Sequence, residues 1–413
     1  MAFQSGLSGL NAASQSLDVI GNNVANAATV GFKQSRALFS DVFANTLSGS
    51  GSNAVGIGTK VAAIEQQFTQ GAITVTNNPL DVAINGKGFF RLSDAGTISY
   101  TRNGQFHLDN NGYVVTTEGL QVTGYGVDAS GNIVPTAPVP LQISNAQLAP
   151  TPTSVFRSSL NLDSSEAVPT TGVFSATDPT SYNDSTSGTV IDSLGNSHVL
   201  TMYFVKTAVA GQWNLHATVD GTPVANVDLG AGAGLPVTLN FNSSGALTTA
   251  MPLAGVDLTV GGGAVTPLTF DLDFTGSTQF GANFAVNSLY QDGFASGRLA
   301  GFNISGDGVI VGHYTNGQSR NLGQLVLASF SDPRGLAPVG STRWEETATS
   351  GLPVVGSPAT GDLGAVQAAA TESSNVDLTA ELVNMITAQR VYQANAQSIK
   401  TQDSVLQTLV NLK

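Results

Sequence analysis

Cysteine is absent from the 413 residues, which excludes disulfide staples and thiolate metal sites. The four histidines, at 107, 198, 216 and 313, show none of the close pairings that a zinc site needs, and no cofactor is expected. Charge is scarce as well: Asp, Glu, Lys and Arg make up 10% of the chain, against roughly a quarter in an ordinary soluble domain. Its balance, a net −13, has the wrong sign for a nucleic-acid partner. No basic residue and no long apolar run precede Lys33, so the first 33 residues are expected to be neither a secretory signal peptide nor a membrane span, and no membrane insertion is expected. What fills the chain instead is glycine, 47 residues of it, with Ser, Thr, Asn and Val. Few charges leave large neutral surfaces, which suit repeated contact between copies and also suit a secreted β-rich monomer.

The last forty or so residues carry the clearest periodicity. Leu378, Leu382, Met385, Gln389, Tyr392, Ala396, Ile399, Asp403, Leu406 and Val410 are separated by alternating steps of four and three, the spacing of a heptad seam. Neither Gly nor Pro interrupts the stretch, and Ser374-Asn-Val-Asp377 has the form of a capping box, with Glu381 adding negative charge near the positive helix end. An ordinary core-packing helix would show the same period. At the other end, Phe3, Leu7, Leu10, Ala13, Leu17, Ile20, Val24 and Ala27 fall on one helical face. Gly6, Gly9 and Gly21 each weaken that helix by up to about 1 kcal/mol, so it needs a partner, and the C-terminal helix is the obvious one.

Between the ends the pattern is β. Residues 34–70 read as a joint, with a flexible stretch at Ser48-Gly-Ser-Gly-Ser52. Gly56-Ile-Gly58-Thr-Lys60 lacks the spacing of a phosphate-binding loop. Asn85-Gly86, Asn103-Gly104, Asn111-Gly112 and Ser130-Gly131 punctuate an antiparallel meander. His107-Leu-Asp109-Asn-Asn111-Gly112 has part of a calcium-loop pattern, but a His stands first and no Glu closes it, so a hairpin turn is expected. Prolines at 135, 138, 140, 150 and 152 mark a crossing into a further β domain. Asp184, Asp192, Asp271 and Asp273 are conceivable acids of a glycosidase pair, yet alternation puts Asp271 and Asp273 on one strand face opposite Phe270, Leu272 and Phe274, which solvated side chains explain equally well. Turns at Asp307-Gly308 and Asn316-Gly317 then lead back towards the first β domain.

Two stretches carry a resemblance. Ser8-Gly-Leu-Asn-Ala-Ala-Ser-Gln-Ser-Leu-Asp-Val-Ile-Gly-Asn-Asn-Val-Ala-Asn-Ala-Ala-Thr-Val-Gly-Phe-Lys33, above all Asn22-Asn23, Asn26 and Gly31-Phe-Lys33, resembles the N-terminal signature of bacterial flagellar rod and hook proteins. The stretch from Ser374-Asn-Val-Asp-Leu to Thr401-Gln-Asp403 resembles the same family's C-terminal signature, and the likeness extends to Leu80–Phe90 and Tyr100–Phe106. It is weaker over Val190-Ile-Asp-Ser-Leu-Gly-Asn-Ser-His198.

The expectation is therefore a mainly β chain with paired N- and C-terminal α-helices, a coiled-coil-like terminal domain (1–33 and 374–413), a connecting joint (34–70), a first β domain (71–145 and 287–373) and an outer β domain (146–286) inserted in it. The resemblance implies a non-enzymatic subunit of the flagellar hook, a homo-polymer forming a curved tube between motor rod and filament. It further implies rod proteins, a hook cap, hook–filament junction proteins and the flagellar export apparatus as partners, and an extracellular place reached without a cleaved signal peptide. A straight distal-rod subunit is the alternative; the extra domain favours the hook. A secreted carbohydrate-active or adhesive β protein would leave the terminal seams unexplained. The residues expected to carry self-assembly are Leu7, Leu10, Leu17, Ile20, Val24, Leu378, Leu382, Met385, Tyr392, Ile399, Leu406 and Val410.

Overall fold

Two long helices frame the chain in the computed structural model, which describes residues 2–42 and 56–411. Helix α1 spans Ala2–Ala25 and helix α2 spans Leu378–Asn411. α1 stops short of Lys33 because the chain tightens into turns: the Asn26 N–H reaches back to the carbonyls of Asn22 and Asn23, and Phe32 reaches back to Thr29. α2 starts later than the capping-box reading of Ser374 required. The Asp377 carboxylate accepts the N–H groups of Thr379 and Ala380 at 2.9 and 3.2 Å, so Asp377 is the cap, while Ser374 Oγ accepts only from Val376.

The described parts of the expected joint are mainly two strands. Strands β1 (Ser35–Val42) and β2 (Gly58–Gln66) pair antiparallel, with a register shift after Leu38. The expected flexible stretch at Ser48–Ser52 lies outside the described residues.

By its contacts the chain divides into two compact units, the first holding residues 1–145, 301–313 and 319–413. Within it the outgoing and returning chains pair antiparallel, Ile73–Val75 with Ala370–Glu372 and Val82–Asn85 with Ala365–Ala368. Beyond them a large sheet runs in the order Val309–Tyr314, Ser319–Leu325, Gln121–Val127, Phe89–Asp94, Thr97–Thr101 and Arg343–Glu345. Aromatic edges lock its core: Phe68 meets Phe89 and Trp344 with ring centroids 5.4 Å apart, and Tyr100 meets Phe330 at 4.8 Å. The Asn111-Gly112 turn is a hairpin, as its sequence suggests, with Asp109 Oδ1 accepting from the backbone of Asn111 and Tyr113.

The second unit comprises residues 146–300 with 314–318. Four antiparallel strands, Asp184–Ile191, Ser197–Lys206, Gln212–Val219 and Val237–Asn240, form one sheet. The other centres on Val155–Asp163, which pairs in parallel with Leu268–Asp273 and Thr278–Phe280 and antiparallel with Ala285–Gln291. Inward residues of both sheets, among them Phe156, Leu160, Leu200, Phe204, Trp213, Phe270 and Phe274, build one core, so the unit is a β-sandwich. It runs past Val286 because that residue sits inside a paired strand and because Phe294 and Gly297 bridge back to Thr151 and Leu148.

Candidate functional site

The two helices lie side by side and antiparallel. Contacts step from Gly6 beside Ile399, through Gly9 beside Asn395, to Asn23 beside Glu381. A Cβ on Gly9 would stand 2.9 Å from the Asn395 amide, so this glycine permits the close approach that its weak helix propensity costs. The face of α1 that is most buried holds Gly6, Ala12, Ala13, Ile20 and Asn23; that of α2 holds Glu381, Met385, Ala388, Asn395 and Ile399. Both faces are made mainly of small and polar residues with a few large apolar ones, Ile20, Met385 and Ile399, while most of the large apolar side chains lie outside them.

Much of the expected seam is consequently uncovered in the single chain. Ile20 is buried, and Leu10, Leu17, Val24, Met385 and Ile399 are half-buried. Leu7, Leu378, Leu382, Tyr392 and Leu406 are 45, 48, 49, 37 and 55% exposed. Val383, Ile386, Val391 and Val405, which the heptad reading left out, are exposed beside them. The side chain of Val410 lies outside the described residues. A cleft of about 900 Å³ runs between α1, α2 and the β1–β2 pair, lined among others by Ala12, Ala13, Ile20, Phe39, Ala388 and Val391.

Where the helices meet the sheet, a buried ionic cluster fixes them. Glu372, fully buried, accepts Lys33 Nζ at 2.6 Å and the Gly71 N–H at 2.9 Å on one oxygen and Arg102 Nη1 at 3.1 Å on the other. Lys33 also donates to the Thr69 carbonyl at 2.7 Å and Arg102 to the Gly86 carbonyl at 2.9 Å. Burial pushes the pKa of both Lys33 and Arg102 down, and the Glu372 charge opposes that in each. Gly31 lies at φ +72°, where a Cβ would stand 2.5 Å from the Asn103 nitrogen, and its N–H donates to the Glu372 carbonyl. Next to it, Asn23 holds both backbone groups of Ser35 at 2.8 and 2.9 Å, Gln34 Nε2 donates to Glu381 at 2.6 Å, and Asn375 accepts the Gln34 N–H at 2.7 Å. The motif residues Asn23 and Lys33 are thus anchors. Glu372, the partner of Lys33, and Arg102, which shares that carboxylate, were not found from the sequence, and only the isolated charges of a charge-poor chain hinted at them.

In the second unit three of the acids considered for a glycosidase pair are separately engaged. Asp273 meets Arg157 at 3.3 Å, Asp271 accepts the Gly255 N–H at 3.2 Å, and Asp192 is bound by Asn196 and His198. Phe270, Leu272 and Phe274 point into the core, opposite Asp271 and Asp273. Asp184 is pushed up to about 6 by burial and by the charges of Glu166 and Asp163.

Similarity to known proteins covers the whole chain. Family descriptions match in order: "Flagella basal body rod protein" at residues 3–33, "Flagellar hook protein FlgE/F/G D1 domain" at 83–153, "Flagellar basal body protein FlaE D2 domain" at 161–294 and "Flagellar basal body rod FlgEFG protein C-terminal" at 367–412. The flagellar hook protein FlgE of Escherichia coli K12 is 44% identical, with 100% of both chains covered. That of Salmonella typhimurium LT2 is 43% identical at the same coverage, and that of Borreliella burgdorferi is 32% identical over 100% of this chain and 99% of its own. Among solved structures, Helicobacter pylori flagellar hook protein FlgE2 shares the fold at a TM-score of 0.51 and 16% identity, over 73% of this chain and 99% of that one.

Proposed function

The chain belongs to the flagellar hook protein family and is a structural subunit of the hook; from that premise we propose that it polymerises through the uncovered apolar stripes of α1 and α2. The observation that carries this reading is the row of half-exposed Leu, Ile and Val on two helices that already pack against each other through other faces. Apolar stripes of this length on a soluble chain mark contact with another surface. In the polymer the terminal helices form a coiled-coil-like domain lining a channel, and the sandwich is inserted in the chain of the first β unit. The tube is curved and flexible and couples the rod to the filament. Rod, cap and junction proteins meet its ends, and the export apparatus delivers the subunit. Full-length identity to hook proteins, with the match at 161–294, favours this over a straight distal-rod subunit.

Electron microscopy of the purified full-length chain under assembly conditions tests the reading: curved hollow tubes are expected, and dispersed monomers or straight rods would overturn it. Leu406→Ala sharpens the test. Covering the exposed half of a Leu contributes about 1 kcal/mol, so the concentration needed for assembly should rise roughly fivefold while the monomer's melting temperature stays nearly unchanged.

A further inference from the structure

Asp192, His198 and Asp220 stand together at one end of the sandwich's four-stranded sheet. Asp192 opens the turn after Asp184–Ile191, His198 lies near the start of the next strand, and Asp220 follows Gln212–Val219. His198 Nδ1 is 2.7 Å from Asp220 Oδ2, and Nε2 is 3.2 Å from Asp192 Oδ2. A neutral imidazole has one N–H and one lone pair, so it satisfies only one of two facing carboxylates, whereas imidazolium donates to both. The remaining oxygens are already committed. Asp192 accepts the N–H groups of Leu194 and Asn196 and the Asn196 amide, and Asp220 Oδ1 accepts the Val199 N–H at 2.8 Å. Asp220 itself is held at φ +51°, a conformation rare for a residue with a side chain. The turn at 192–196 is in turn tied to its surroundings, with Ser193 Oγ accepting the Val265 N–H at 2.8 Å.

We propose that protonated His198 is a clamp joining the turn at 192–196 to the turn at Asp220, and that loss of its proton loosens this end of the sandwich, so that its stability responds to external pH. The charged groups facing the ring among the described residues are these two carboxylates, one from each neighbouring turn. When the proton leaves, the shorter contact keeps the remaining N–H on Nδ1 with Asp220, and the Nε2 lone pair faces the fully buried Asp192. Burial draws the imidazole's pKa down, but the hydrogen bonds and charges of Asp220 and Asp192 outweigh it and leave it above the ordinary value. Asp192 is brought down to about 2: burial raises it, and the bonds from Asn196 and His198 more than reverse that. Since the folded pKa is raised, the clamp contributes fully below the ordinary His value and is lost as pH rises through the folded one.

The test uses the full-length chain in its monomeric state. Ring resonances of the four histidines are followed by NMR across pH 5 to 9, with His198→Gln assigning the signal, and urea unfolding is compared for both chains at pH 5.5 and 9. His198 should titrate above the ordinary value of about 6.5, and its advantage over Gln in the unfolding equilibrium should shrink tenfold for each unit of that excess as pH rises. Titration at or below the ordinary value, or an advantage equal at both pH values, would overturn the proposal. Should His198→Gln fail to fold, Asp220→Asn serves: it should lower the His198 midpoint, and an unmoved midpoint refutes the clamp.

Discussion

Replacing Glu372 by Gln keeps the shape of the side chain and removes its charge, and the consequence follows from counting charges around it. Two cations, Lys33 and Arg102, share this one buried carboxylate, at 2.6 and 3.1 Å. Neutralising Glu372 leaves both buried cations without a counter-charge, a situation that costs about 3 to 5 kcal/mol. Lys33→Met removes one cation instead and leaves a neutral Glu372–Arg102 pair. The Thr69 carbonyl that it leaves still accepts from Asn375 Nδ2 at 3.3 Å, so the cost should be only about 1 kcal/mol. The two variants delete opposite ends of the same 2.6 Å contact, yet they should differ several-fold in effect. Urea unfolding of the full-length chain measures the difference. Hydrogen exchange should localise it, with protection lost first around residues 31–36 and 370–376, where Gly31 and Gln34 bond to Glu372 and Asn375. Equal destabilisation by the two substitutions would show that the lysine contributes through packing and that the charge balance of the cluster is irrelevant.

Two further substitutions separate the roles of glycine in α1. Gly9→Leu should weaken the helix pair by roughly 1 to 3 kcal/mol, because the space above it is filled by the Asn395 amide, whereas Gly21→Ala, with nothing within 4 Å, should stabilise α1 by up to about 1 kcal/mol; thermal unfolding followed at 222 nm reads both, and a loss from Gly21→Ala would contradict the assignment of its open side. Asp184→Asn should stabilise the chain by about 1 kcal/mol above pH 6, after allowance for solvent screening of a partly exposed group. Its folded pKa is raised to about 6, so the stability that wild-type Asp184 contributes at low pH is lost as pH climbs through that value, and the difference from Asn should vanish near pH 4; a constant difference in unfolding midpoints from pH 4 to 8 would refute this.

The terminal helices were legible because large apolar residues at helical spacing are a local signal, and the hairpins were legible because Asn-Gly and Asp-Gly turns are local too. The face by which the helices meet was not. Hydrophobic periodicity weighs Leu and Ile heavily and ignores Gly6, Gly9 and Asn395, although small residues are what allow two backbones to approach. The same weighting placed Leu382 and Leu406 in the seam of the pair, while the single chain leaves both about half exposed. Nor does any local pattern reveal Glu372: its partners lie 339 and 270 residues away in sequence, and each of the three residues alone reads as a solvated surface charge. The β1–β2 pair within the expected joint was not read for a related reason, since the two strands are separated in sequence and neither alternates strongly enough to announce the other. A contact face of mainly small and polar residues beside an exposed stripe of large apolar ones makes physical sense if one helix must satisfy two neighbours. On the proposed function, shape and hydrogen bonds would serve the close contact within the chain, and the exposed apolar area would serve contact between subunits, where burial of many side chains at once can drive association.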